Sequence, residues 1–284
     1  MNHATPVAAA ALLLVFARAA AAQGDCFPPD TSNEARTMAI FDVPLAFSAA
    51  TAPAERHRGA ISIGLEVTYL PKVSDSLGIP KICRPGKLRP EHTDFLFAMP
   101  RPRIALGLSG GFAIEASWIP PVRISDVKAN IVGFAVSRTT PLGGRGALLD
   151  IRVHGSYGVL KAPITCDEEA LQDAGSECFM GTRSYDAFKP NVWGAEAAVG
   201  WPLGATLRPY LGAGYNHLAP RFQVNFTNQF GETDRRKVTV DLDRGVLFGG
   251  VTWQARRLLD LSAEIYSAPA DAVTGRVTGR VRLR

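Results

Sequence analysis

The chain has 284 residues, 46% of them hydrophobic and 20% charged, with 27 glycines. That balance excludes intrinsic disorder, collagen-like repetition and a bundle of membrane helices. The formal charge of +5 comes from 31 basic against 26 acidic residues, scattered without a run or an aromatic comb, so no nucleic-acid partner is expected.

Residues 1–22 read as a cleaved secretory signal peptide. An apolar stretch from Ala8 to Phe16, too short to span a bilayer, runs into Ala20-Ala21-Ala22 ahead of Gln23. After Gln23 nothing approaches the roughly 18 uninterrupted apolar residues of a transmembrane helix. The mature chain is therefore either soluble or a membrane β-barrel. Residues 23–58 precede the first clear strand. Pro28-Pro29, Pro44 and Pro53 argue there against a regular helix, while Met38 to Phe47 is apolar enough for a short strand. This segment is expected to be a periplasmic tail, a plug, or an extra hairpin that raises the strand count to twelve.

From Ala60 onward the apolar pattern has period two, in segments bounded by Gly and Pro, and residues 59–284 read as one β-domain. Ile61, Ile63, Leu65, Val67 and Tyr69 alternate with Ser62, Gly64, Glu66 and Thr68. Val273, Gly275, Val277, Gly279 and Val281 alternate with Thr274, Arg276, Thr278, Arg280 and Arg282. Strands are expected at 60–69, 95–108, 111–119, 127–139, 146–160, 189–201, 205–228, 236–253, 257–267 and 273–284. Connections alternate between tight turns, such as Ser109-Gly110-Gly111, and a set containing the long segments 70–94 and 161–188, as in barrels with short turns at one rim and loops at the other. The apolar parity changes twice, at Ala219-Pro220 and near Asp243-Arg244-Gly245. The first change reads as a bulge in one long strand, or as a separate hairpin. Trp193 and Trp201 share a face about 26 Å apart along the strand, or just under ~20 Å once tilted, a spacing compatible with two aromatic girdles.

The four cysteines, Cys26, Cys83, Cys166 and Cys178, allow three pairings in an exported protein. Cys166–Cys178 is favoured, because it closes a short loop and contributes about 3 kcal/mol in the chain-entropy model; Cys26–Cys83 comes next. No spacing points to a metal site or a cofactor.

The signal peptide, the alternating segments Gly146 to Leu160 and Val273 to Arg284, and the alternating turns together resemble a bacterial outer-membrane β-barrel protein. Pro100-Arg101-Pro102-Arg103-Ile104-Ala105-Leu106-Gly107-Leu108, continuing to Pro121, resembles uncharacterised barrels grouped with long-chain fatty-acid transporters. Such barrels end in an aromatic residue read by the assembly machinery; this chain departs from that pattern with Arg282-Leu283-Arg284. The resemblance implies an all-β, antiparallel up-and-down transmembrane barrel of about ten strands (range eight to fourteen) in the outer membrane, with lipid as its partner and its solute unspecified.

If the apolar faces meet lipid, the lumen is lined by Glu66, Arg103, Glu115, Asp150, Arg152, His154, Glu196, Arg208, Asp241, Glu264, Arg276 and Arg280. Such a mixed set forms ion pairs rather than a ring of one sign, so the lumen is expected to be partly plugged. The inverse assignment is a soluble periplasmic or secreted β-protein that binds a ligand. His154 and Ser156 share a strand face, as in some outer-membrane lipid hydrolases, but Asp150 lies about 13 Å from His154 along the strand, too far to orient it. The pair reads as lumen filler and the protein as a non-enzyme: a structural barrel or a passive conduit for small solutes.

Overall fold

The computed structural model describes residues 24–94, 96–124, 126–144 and 146–283, so the predicted signal peptide lies outside the described residues. Ten long strands carry the fold: β1 (Ile61–Tyr69), β2 (Ala98–Gly107), β3 (Phe112–Ile119), β4 (Val127–Pro141) and β5 (Leu148–Ala162). They are followed by β6 (Asn191–Gly200), β7 (Leu207–Leu218), β8 (Leu242–Arg256), β9 (Leu259–Ala268) and β10 (Ala272–Arg282). Each pairs antiparallel with its neighbours in sequence, and β10 returns to β1 with Arg276 opposite Thr68 and Arg282 opposite Ser62. The ring is closed, so the barrel wall has no free strand edge. Tight turns join β2 to β3, β4 to β5, β6 to β7 and β8 to β9 at one rim. The connections at the opposite rim include the long segments 70–97, 163–190 and 219–241. The β2–β3 turn needs its glycines: Gly111 has φ +76°, and a Cβ there would meet the Thr139 carbonyl oxygen at 2.3 Å.

Both parity changes have a cause other than a bulge. The predicted strand 205–228 ends at Leu218, and beyond Ala219-Pro220 the short strand Arg221–Gln223 pairs with Asp186–Lys189 and Lys237–Thr239 above the ring. The separate-hairpin alternative is the better description, and it adds nothing to the barrel count. Near Asp243 the β7–β8 ladder runs unbroken from Leu207 opposite Trp253 to Leu218 opposite Leu242. There the environment changes and the register does not. Leu242 and Val246 point inward to an apolar half of the lumen, whereas Leu247 and Val251 point outward.

That apolar half exists because a helix fills it. Residues Asn33–Asp42 form α1, contrary to the expectation of no regular helix, and Val43–Leu45 add a 3-10 turn. Pro28-Pro29 precede the helix and Pro44 follows it, so the prolines bracket ten helical residues without interrupting them. Ser32 caps the start, its hydroxyl accepting from the Ala35 amide at 3.1 Å, and Glu34 sits in the first turn. Ala35, Met38, Ala39, Ile40 and Val43 pack against wall residues including Ile131, Leu160, Val192, Leu218 and Val246.

Both disulfides match the favoured pairings. Cys26–Cys83 ties the start of the described chain to the loop 70–97, and Cys166–Cys178 closes a loop within 163–190. The long loops fold into a cap in which Asp25–Cys26 runs parallel to Lys237–Val238. Asp186 ties the loop 163–190 to the loop 219–241, accepting from the Thr165 amide (2.6 Å), the Ser184 hydroxyl (2.8 Å) and the Asn225 amide (2.8 Å). Burial pushes its carboxyl up to about 6, against the pull of those bonds. A folded-state value above the unfolded one means that the contribution of Asp186 to cap stability is fully present below about pH 4 and is lost as pH rises through about 6. Amide hydrogen exchange in the cap, corrected for intrinsic rate, should therefore speed up between pH 4 and 7. The Asp186→Asn variant should flatten that dependence.

Candidate functional site: the plugged lumen

Outside the apolar part of the lumen packed on α1, the two faces of the ring differ in chemistry. Ile63, Leu65, Ile104, Phe134, Val153, Leu211, Val251, Ile265 and Val277 are exposed around the outside. Glu66, Arg103, Glu115, Arg152, His154, Glu196, Glu264, Arg276 and Arg280 face inward and are 0–9% exposed. A barrel in water buries its apolar face; this one presents it. The chain is a transmembrane β-barrel. A closed, even-stranded ring with short turns at one rim and long loops at the other is the architecture of the outer membrane, and that is where this barrel belongs. The soluble, inside-out assignment is thereby overturned. No helix among the described residues is long and apolar enough to cross a bilayer, and the crossing is made by strands. Trp193 and Trp201 both lie on the outer face, 46% and 39% exposed.

The lumen is filled by the chain's own N-terminal segment, which enters at the loop rim and descends. At the top, Asn33 Nδ2 donates to the carbonyls of Ser76 and Ile79, and the Glu34 carboxylate accepts from the amides of Ile82 and Cys83. Below the helix the backbone is irregular, and its carbonyls are met by arginines of the wall. Arg101 donates to the Leu45 carbonyl (3.1 Å), Arg152 to that of Phe47 (3.2 Å) and Arg103 to that of Ser48 (2.8 Å). Irregular backbone at membrane depth is tolerated only where such partners exist. Lower still, Arg280 donates to Thr51 Oγ1 (2.7 Å) and the Ala52 amide donates to Thr252 Oγ1 (2.8 Å). Arg56 reaches Glu115 at 2.5 Å, and the Gly59 amide meets the Gly107 carbonyl at the short-turn rim.

Phe47 is the centre of this arrangement. Its ring is fully buried, and the guanidinium carbons of Arg103, Arg152 and Arg101 lie 4.4, 5.0 and 5.7 Å from its centroid. Three cations crowd one ring because the carboxylates stand behind them. Glu115 takes Arg103 at 2.9 Å and Arg152 at 3.3 Å, while Glu66 pairs with Arg103. On the other side Arg276 pairs with Glu264 at 3.2 Å, Tyr210 donates to Glu264 (3.0 Å), and Tyr266 donates to Glu196 (2.8 Å). His154 Nε2 lies 3.2 Å from the same Glu196 oxygen. Buried pairs of this kind are costly to break, because removing one partner strands the other charge away from water.

Three candidates stand apart from this cluster. Asp150 is buried but bonds to Thr139 at 2.6 Å. Arg208 is partly exposed at the short-turn mouth, among Thr51, Thr252 and Asp260. Asp241 is not in the lumen. It is exposed in the break between Lys237–Thr239 and β8 and pairs with Arg221 at 3.2 Å, because the parity count was carried through a point where the strand stops. Arg101, Tyr210, Tyr266 and Asn216, whose side-chain amide donates to the Tyr266 hydroxyl at 2.7 Å, were missed. Arg101 was findable, being two residues from Arg103 on the same face, and Tyr266 stands in the same relation to Glu264. Phe47 and Ser48 carry no local signal. Ser156 is fully buried, with no hydrogen-bond partner for its hydroxyl among the described residues.

No protein-family model and no curated protein matches the chain. Among solved structures it is similar to the attachment invasion locus protein Ail of Yersinia pestis, at 10% identity over 80% of this chain and 99% of that one, with a TM-score of 0.31. It is also similar to the outer membrane protein Omp33 of Acinetobacter baumannii (9% identity, 79% and 98%, TM-score 0.30). A third such structure is the monoaromatic hydrocarbon channel CymD (8% identity, 80% and 67%, TM-score 0.36). At these TM-scores the likeness carries no argument about activity or solute. The barrel assignment stands on the closed ring and its two faces.

Proposed function

We propose that this barrel is a passive envelope protein, closed by its own N-terminal segment and without catalytic activity. The observation that carries this reading is the packing around Phe47: the ring and the charged side chains about it are only 0–9% exposed. The non-enzymatic reading is supported by the burial of His154 and Ser156 out of reach of a lipid substrate, and by the engagement of Asp150 with Thr139. In a planar bilayer the intact protein should show no large, long-lived open steps. Sustained open conductance would overturn the proposal. A second reading, a conduit for small apolar solutes, is favoured by an apolar cavity between α1 and the cap loops. Met38, Phe41, Leu77, Ile164, Phe188 and Phe222 line it, and the plug would have to move for anything to pass further.

A further inference from the structure

The outer surface where the barrel meets the cap carries a row of cations, most of them without a carboxylate partner. Strand pairing aligns them: Arg123 lies opposite Lys128, Lys128 opposite Lys161, and Lys161 opposite Ala187. Lys189, two residues on from Ala187 on the same face, lies opposite Arg221. Like charges directly opposite one another destabilise a sheet unless something anionic lies over them. The protein supplies little of it. Arg221 is the exception, held by Asp241 at 3.2 Å and donating to the carbonyls of Ala219, Pro220 and Val240, and Asp126 beside the row is taken by Arg183 at 2.7 Å. Lys128, Lys161 and Lys189 have no ion pair with any described carboxylate. Lys161 is held against the outer surface by the Tyr185 ring, 5.1 Å from its Nζ.

The height of this row decides what meets it. Trp118, Tyr157, Trp193 and Tyr215 form an outward aromatic belt, with Trp118 and Tyr157 both opposite Val132 on β4. Aromatic belts mark the boundary between hydrocarbon and headgroups. Lys128 lies four residues above Val132, about 13 Å along the strand and about 9 Å along the membrane normal at a tilt near 45°. That is the level of lipid headgroups and not of bulk water.

We propose that Lys128, Lys161 and Lys189, with Arg123, form a seat for the phosphate-bearing headgroups of anionic lipid in the leaflet at the loop rim. The proposal rests on the lipid-facing barrel, and its test separates the two. Wild type and the Lys128→Gln, Lys161→Gln, Lys189→Gln triple variant are placed in nanodiscs of phosphatidylcholine with phosphatidylglycerol, and retained lipid is read by native mass spectrometry. A control variant, Arg58→Gln, Arg256→Gln, Arg257→Gln, removes three exposed cations at the opposite rim. Wild type and control should retain phosphatidylglycerol preferentially, and the triple variant should lose that preference by about tenfold or more. Absence of preference in wild type, or equal loss in the control, overturns the seat. Failure of wild type to enter the nanodisc counts against the barrel itself.

Discussion

Removal of residues 24–58, combined with Cys83→Ser to avoid an orphan thiol, is expected to convert a closed barrel into a conducting one. The wall does not need the segment, because all ten strands are paired to one another in a complete ring. The lumen does need it. The carbonyls of Leu45, Phe47 and Ser48 and the ring of Phe47 occupy the centre, and removing them leaves water to solvate Arg101, Arg103, Arg152, Arg276 and Arg280 together with Glu66, Glu115, Glu196 and Glu264. Five cations and four anions nearly cancel, so the opened pore should discriminate weakly between cations and anions. Planar-bilayer recording supplies the check: long-lived steps in the truncated protein against none in the intact one. Phe47→Ala should give an intermediate result, brief openings through the void left among three arginines. A truncated protein that folds but does not conduct would show that the wall side chains close the lumen unaided.

Glu115→Gln should destabilise the barrel more than any substitution on its outer face. The carboxylate is within 2.5 Å of Arg56, 2.9 Å of Arg103 and 3.3 Å of Arg152, and it bridges the plug to two wall strands. Its loss leaves guanidinium groups buried side by side without their shared anion, a defect that costs about 3–5 kcal/mol. For a chain of this length that corresponds to a fall of about 10 °C in the midpoint at which boiling converts the folded band to the unfolded one in SDS. Adding Arg152→Met to Glu115→Gln should recover part of the loss, since one of the stranded charges goes with it. No change in midpoint would mean that the network is solvated and that the lumen is wetter than its packing implies.

The order and count of the barrel strands were legible because the wall obeys a local rule. A strand with lipid on one side and a filled lumen on the other must alternate, so Ile61 to Tyr69 and Val273 to Arg282 announce themselves residue by residue. The same rule misled where the environment changed along one strand. Leu242 and Val246 face the apolar helix, Leu247 and Val251 face lipid, and period-two counting cannot tell an apolar lumen from an apolar membrane. Asp241 was misplaced by counting across a gap. The helix at Asn33–Asp42 was hidden because it is surrounded by wall and loop and needs no polar face, so its sequence lacks the amphipathic stripe by which helices are recognised.

What the chain determined by itself was therefore alternation, turn placement and the supply of charged groups on one face of the strands. Only the tertiary structure decided which face is inside, that β10 closes on β1, and that residues 24–58 thread the lumen. The physical reason is range. Alternation is a property of neighbouring residues, whereas the contacts of Phe47 with Arg152, of Ser48 with Glu264 and of Cys26 with Cys83 join segments 105, 216 and 57 positions apart. Those contacts exist only in the folded tertiary structure, where these distant segments are brought together.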